Sequence, residues 1–245
     1  MRRSARLAFL TLALTEAALA QDAPPPPTPT PLWSGKGELS FVSTSGNSNT
    51  QTLGVGAEVA YKPAPWSFLF TTAFVRSEAD DVENARSFLA TIRGARSLTQ
   101  RLEVFARGEY LQNTFAGIDS RISGEGGIAY ALFPNPPHKL KAEVGVGYTR
   151  ENRVTGEDLS FPSARAGLLY EWQISKGAAY TEELSFTQDL GEGDNWRILN
   201  TGSLTADIST VLAMRLSYAI TYANQPPPGF EKRDTTTSAA IVAKF

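Results

Sequence analysis

The segment Val211-Leu-Ala-Met-Arg-Leu-Ser-Tyr-Ala-Ile-Thr-Tyr222 decides the fold. Leu212, Met214, Leu216, Tyr218, Ile220 and Tyr222 fall on one side of an extended chain; Ala213, Arg215, Ser217, Ala219 and Thr221 fall on the other. Side chains alternate across a strand but recur only every ~3.6 residues around a helix, so this is a strand with one apolar and one polar face. Two other stretches repeat it. Leu102, Val104 and Ala106 oppose Glu103, Arg107 and Glu109, and Leu140, Val144, Val146 and Tyr148 oppose Lys141, Glu143, Gly145 and Gly147.

Carried along the chain, the same period divides residues 33–245 into roughly twelve strands, an even number as bacterial single-chain membrane barrels have. Their approximate spans are 33–45, 49–62, 66–78, 83–97, 101–113, 120–133, 138–151, 159–173, 178–189, 195–208, 211–224 and 232–245. Each has at least the ~9–11 residues a tilted strand needs to cross a bilayer, against about 5–6 in an ordinary soluble strand. The connections alternate too. Pro63-Ala64-Pro65, Leu98-Thr99-Gln100, Pro134 to Pro137, Ser175-Lys176-Gly177 and Ser209-Thr210 are tight; Asn152 to Asp158, Leu190 to Asp194 and Gln225 to Lys232 are longer and polar. Short periplasmic turns and longer outer loops are the pattern of an outer-membrane barrel.

A soluble barrel also alternates, with its apolar face inward. Charge placement favours the inverse arrangement. Glu38, Glu58, Arg93, Glu103, Arg107 and Glu109, with Glu125, Glu143, Arg165, Glu183 and Arg215, fall on the polar face at mid-strand, where a lumen holds them paired or hydrated. Aromatics on the apolar face gather at strand ends, as membrane girdles do. Trp33, Tyr61, Trp66, Trp172 and Phe245 belong to the periplasmic girdle, and Tyr110, Tyr148, Phe186, Trp196 and Tyr222 to the outer one. Glu182 and Asn200 break the pattern on the apolar face, which predicts a register error or a bulge there. The expected fold is all-β: a transmembrane, antiparallel, up-and-down barrel over residues 32–245.

The N-terminus reads as an export signal. Arg2, Arg3 and Arg6 precede the apolar run Leu7 to Leu14, and Ala18-Leu19-Ala20 is a small-x-small cleavage site, so residues 1–20 form a secretory signal peptide. Residues 21–31 follow as a Pro-rich periplasmic linker whose Pro24 to Pro31 stretch, as polyproline II, reaches roughly 25 Å. Removing three Arg and Glu16 from 23 Lys+Arg and 25 Asp+Glu leaves 20 against 24, an acidic balance that argues against nucleic-acid binding. The 0 Cys exclude disulfides and thiolate sites.

Catalytic signatures are weak. The single histidine, His138, follows Pro136-Pro137 in a turn, which disfavours a Ser-His hydrolase at the outer lip and rules out a metal site built from several histidines. Gly124-Glu-Gly126-Gly127 and Gly145-Val-Gly147 are followed by no helix and so read as bends or close packing rather than phosphate cradles. Asp189, Glu192 and Asp194 lack EF-hand spacing; together with Asp80, Asp81, Glu83, Glu157 and Asp158 they read as an acidic outer rim, the alternative being divalent-ion bridging to lipopolysaccharide. No catalytic residue, cofactor or metal is assigned.

Trp33-x-Gly35-x-Gly37-x-Leu39, followed by Gly46-Asn47-Ser48-Asn49-Thr50, opens the barrel; Pro228-Gly229 and Lys232-x-Asp234-Thr235 lead into its last strand. On these motifs the chain resembles the salt-induced outer-membrane protein family, the YdiY-like group labelled as a domain of unknown function, from about Leu32 to Phe245. The resemblance implies an outer-membrane barrel linked to salt stress and hands over no catalytic site. The closing Ala239-x-Ile241-x-Ala243-x-Phe245 is similar to the signal read by the barrel-assembly machinery, except that Ala243 stands where an aromatic is usual. Expected partners are outer-membrane lipid, lipopolysaccharide and that machinery. The expected function is a non-enzymatic barrel with a structural, stress-related or passive transport role; the alternatives are a selective channel for small solutes or ions and, less favoured, a hydrolase. Opposite charges such as Glu103, Arg107 and Glu109 either plug the lumen or line a narrow pore.

Overall fold

The computed structural model describes residues 31–45, 50–79 and 82–245, with side chains described outside 41–53 and 77–85. The expected signal peptide, all but the last residue of the linker, residues 46–49 of the opening hairpin motif, and Asp80 and Asp81 lie outside the described residues.

Among the described residues, twelve strands follow one another: β1 (Trp33–Ser45), β2 (Thr50–Tyr61), β3 (Trp66–Ala79), β4 (Val82–Ser97), β5 (Leu102–Asn113), β6 (Ile118–Phe133), β7 (His138–Arg153), β8 (Leu159–Ser175), β9 (Ala178–Asp189), β10 (Trp196–Asp207), β11 (Leu212–Ala223) and β12 (Arg233–Lys244). Each pairs antiparallel with its sequence neighbours, and β12 pairs with β1 to close the ring. A 12-residue strand tilted by ~40° spans about 30 Å, the thickness of a bilayer core. The expected spans hold to within a few residues. The larger differences are at β7, which runs on to Arg153, at β8, which runs on to Ser175, and before β6, where a 3₁₀ turn at Thr114–Ala116 precedes a strand that starts at Ile118.

Which face points outward follows from exposure. Leu39 (67%), Val146 (65%) and Ile92 (59%) stand outside with Leu216, Ile128 and Ile241. The buried apolar residues are mostly alanines, with Phe105, Phe161, Ile118 and Val242. A water-soluble barrel would bury the large aliphatics, whereas a spanning one turns them to lipid and pairs all its backbone groups around the ring.

At the seam, Gly35 N–H donates to the Phe245 carbonyl at 2.8 Å and Phe245 N–H returns a bond to the Gly35 carbonyl at 3.0 Å. The Phe245 ring lies where a side chain at Gly35 would stand, so glycine here lets the terminal ring lie down over β1. Register shifts occur near strand ends, at Leu111/Asn113, Ile118/Ser120, Ala131/Phe133 and Gln173/Ser175 among others. None falls at the two residues that broke the alternation. Asn200 pairs with Leu184 and Glu182 with Gly202 in an unbroken register, so the expected register error or bulge is corrected: both residues face outward.

Candidate functional site

The lumen holds the chemistry. Inward positions share the parity of Arg93, Glu103, Arg107, Glu125, Glu143, Arg165 and Glu183, and the strand register brings these seven into one lattice with Lys141. Arg93 donates to Glu103 at 2.6 Å and to Glu143 at 2.8 Å, and Lys141 reaches Glu103 at 3.0 Å. Arg165 lies 3.0 Å from Glu183, 3.4 Å from Glu143 and 3.5 Å from Glu125. Arg107 lies 3.7 Å from Glu183 and 4.0 Å from Glu125. Arg93 and Arg107 are direct cross-strand partners, a like-charge pair that would repel if both side chains stood straight up; they diverge to different carboxylates instead. The Arg107–Glu183 pair joins β5 to β9, four positions around a ring of twelve, so this contact reaches over a third of the ring instead of linking adjacent strands. Its four cations face four carboxylates, and the lattice is close to neutral.

Further from the termini sits a second cluster. Glu151, 1% exposed, accepts from Arg121 at 2.6 Å, Arg153 at 2.7 Å and Arg197 at 2.9 Å. Three guanidinium groups on one carboxylate leave a net positive centre. On the opposite wall, Arg215 reaches Glu38 at 2.8 Å across β12, whose inward Ala240 and Val242 are small enough to let it pass, and Lys36 meets Glu58 at 2.8 Å. Glu38 lies so close over Gly56 that a Cβ there would stand 2.8 Å from its Cγ. Glu109 lines a 220 Å³ cavity beside Arg107 and Arg121.

Two inward aromatics share the parity of the charges and were not singled out in the sequence. Phe105 packs with Ala95 and Ala129 and carries the Arg93 guanidinium 4.8 Å above its ring; Phe161 sits under Arg197 at 5.6 Å. Each brings a delocalised cation onto an aromatic face.

The end opposite the termini is covered. The β11–β12 connection begins at Asn224 and crosses the opening, since β12 lies half a ring from β6. Thr155 donates its hydroxyl to the Pro228 carbonyl at 2.7 Å, and Arg153 donates to the Gln225 carbonyl at 3.3 Å. Phe230 and Pro227 press on Gly117, and Pro228 on Gly156. Both glycines have positive φ, +79° and +83°, and a Cβ on either would collide with the loop. Beneath lies a chamber of about 370 Å³ lined by Leu89, Leu111, Phe115 and the Glu151 cluster, and a cavity of about 500 Å³ opens at the other end beside Arg101, Lys141 and Glu171. Asp189 closes the β9–β10 loop: it accepts from the Gly191 and Glu192 amides and the Asn195 side chain, so one of the acidic rim residues serves loop structure.

Outside, aromatic stacks stand at both ends. Trp33, Tyr61, Phe68 and Trp66 form one run, with Trp33 and Tyr61 centroids 4.2 Å apart. His138 stacks between Tyr170 and Trp172 and bonds the Tyr170 hydroxyl through Nδ1 at 2.8 Å. At the other end Phe186 meets Trp196 at a tilt, Trp196 stacks on Tyr222, Phe88 meets Tyr110, and Tyr148 is exposed.

A family model described as "Protein of unknown function, DUF481" matches residues 37–245. The uncharacterized protein YdiY of Escherichia coli (strain K12) is 22% identical over 204 residues, 81% of this chain and 78% of that protein, in keeping with the YdiY-like resemblance of the opening and closing motifs. Among solved structures, the NanC porin superposes with a TM-score of 0.60 at 8% identity, over 85% of this chain and 100% of the porin. The COG4313 outer membrane channel from Pseudomonas putida F1 gives 0.52 at 11% identity, over 91% and 99%. At these identities the likeness is one of fold: a β-barrel resembling those of the bacterial outer membrane.

Proposed function

We propose that this chain, which belongs to the DUF481 family, is a non-enzymatic outer-membrane barrel whose lumen is held shut at rest by its own ion pairs, with a structural or stress-related role. The observation that carries this reading is the Arg107–Glu183 contact joining β5 to β9, because an ion pair that reaches over a third of the ring narrows a path that wall-hugging charges would leave open. The mouth loop adds a second barrier above the Glu151 cluster. In this reading, residues 1–20 are removed, 21–31 tether the barrel on the periplasmic side, β12 with Phe245 is the strand the assembly machinery takes, and the termini face the periplasm. N-terminal sequencing of the mature chain should read Gln21-Asp22-Ala23. Planar-bilayer recording of the purified chain tests the closed lumen: the wild type should show rare, small openings, and steady discrete conductance at rest would overturn it.

A selective diffusion channel is the second reading. It is favoured by the cavities of about 370, 220 and 500 Å³, each reaching the charged interior. Under it, the balanced lattice is a filter rather than a plug, and wild-type conductance should depend on the charge of the permeant ion.

A further inference from the structure

One carboxylate faces the wrong way. Glu182 lies on the outer wall, on the face that also carries exposed Leu184 and Phe186, while its chain neighbour Glu183 joins the lumen lattice. It is held by three neutral donors. The hydroxyl of Tyr180 donates to it, the Asn200 amide donates at 2.5 Å, and the hydroxyl of Tyr218 reaches both carboxylate oxygens, at 2.9 and 3.0 Å. The seat is built from three strands. Glu182, Gly202 and Tyr218 form one cross-strand row, and a Cβ at Gly202 would stand 2.6 Å from Glu182 Oε2 and 2.7 Å from Tyr218 Cζ. Only glycine lets the carboxylate and the ring lie down over the backbone. Exposed Leu204 and Leu216 flank the seat on the same face.

Hydrogen bonds from hydroxyls and an amide orient a carboxylate without cancelling its charge. Among the described residues, no Lys or Arg forms an ion pair with Glu182, and His138, two strands away on the same wall, gives its Nδ1 to Tyr170. An uncompensated charge on a lipid-facing wall is costly. Its depth is specific: Tyr180 is level with Trp172 of the girdle, and Glu182 is one outward position deeper, about 5 Å along a tilted strand. That is just below the headgroup level marked by the girdle, a depth an ammonium drawn in beside the tyrosines can reach.

We infer that Glu182, Tyr180 and Tyr218 form a site for the primary ammonium of a phosphoethanolamine-type lipid headgroup in the leaflet nearer the termini. A single carboxylate matches a single ammonium, and the two tyrosine rings beside it offer π faces to the same cation. A second copy of the chain is the poorer fit, because a two-fold contact would set two carboxylates against each other. The inference rests on the outer-membrane placement proposed above.

The test uses the full chain reconstituted in discs of equal phosphatidylethanolamine and phosphatidylcholine, with retained lipid counted by native mass spectrometry. Wild type should retain phosphatidylethanolamine in several-fold excess. Glu182→Gln, nearly isosteric and uncharged, should bring the ratio close to one; Tyr218→Phe, which keeps the charge and loses one donor, should lower it two- to three-fold. An excess of free ethanolamine should not displace the lipid. Equal retention of both lipids by wild type, an unchanged ratio in Glu182→Gln, displacement by ethanolamine, or a loss of self-association in place of lipid would each overturn the assignment. A chain that fails to insert in the discs at all would instead refute the membrane placement, so the two failures are distinguishable. The wild-type and Tyr218→Phe ratios keep the question decidable if Glu182→Gln does not fold.

Discussion

Replacing Glu151 by Gln removes the charge on which Arg121, Arg153 and Arg197 converge while keeping the shape of the side chain. Hydrogen bonds to a charged group contribute about 1.5–3 kcal/mol each, and taking one partner from a buried ion pair costs about 3–5 kcal/mol because the remaining charge is stranded. The Glu151 side chain is 2% exposed and its three partners 11–14%, so solvent screens little of this. The three arginines would also repel one another once the carboxylate is gone, while the Gln carbonyl would still accept a neutral bond. These effects oppose each other and leave an expected loss of about 3–5 kcal/mol. Urea unfolding in lipid vesicles, followed by tryptophan fluorescence, measures it. Glu171→Gln is the internal control, since Lys139 and Glu171 are 43% and 40% exposed and such pairs contribute about 0–1 kcal/mol. Raising salt should shrink the Glu171 effect and leave the Glu151 effect nearly intact. If Glu151→Gln costs no more than Glu171→Gln, the cluster is screened by solvent and the reasoning about a buried charged centre is wrong.

Arg107→Ala removes the β5-to-β9 crossing and should raise single-channel conductance at least several-fold over wild type; unchanged recordings would mean that the lattice is not the barrier. Gly117→Val places a side chain where Phe230 lies, at a backbone angle that costs a β-branched residue about 1–3 kcal/mol, and should increase protease cleavage between Gln225 and Lys232. Gly35→Val displaces the Phe245 ring from the seam and should reduce the heat-modifiable, folded fraction on electrophoresis, whereas Gly37→Ala, where a Cβ meets nothing within 4 Å, should leave it unchanged.

Alternation reports whether a side chain faces in or out, and it made the strands, the apolar exterior and the inward face of Arg93, Glu103 and Arg165 legible. It carries no information on which inward residues meet. The Arg107–Glu183 contact depends on strand tilt and stagger, and these are properties of the closed ring. Arg121, Glu151 and Arg197 share the parity of the recognised charges but lie towards strand ends, where a carboxylate or guanidinium reads as part of a solvated rim. Phe105 was hidden for the opposite reason: an aromatic among Glu103, Arg107 and Glu109 looks like an exception until Arg93 is seen lying on its ring. The Pro226 to Gly229 run announces a loop, but its reach across the mouth depends on the small surfaces of Gly117 and Gly156 on the far side. Glu182 and Asn200 were visible only as irregularities; three strands must be in register before they become a site.

The bonds between Gly35 and Phe245 have a consequence for how freely the chain could be rewired. Because β1 and β12 meet side by side at the same rim, a short linker could join them there, and the chain could be cut instead at a tight turn such as Pro134–Pro137 on that same rim. Every lateral pairing would survive such a circular permutation. The ring, once formed, has no first strand and no last one.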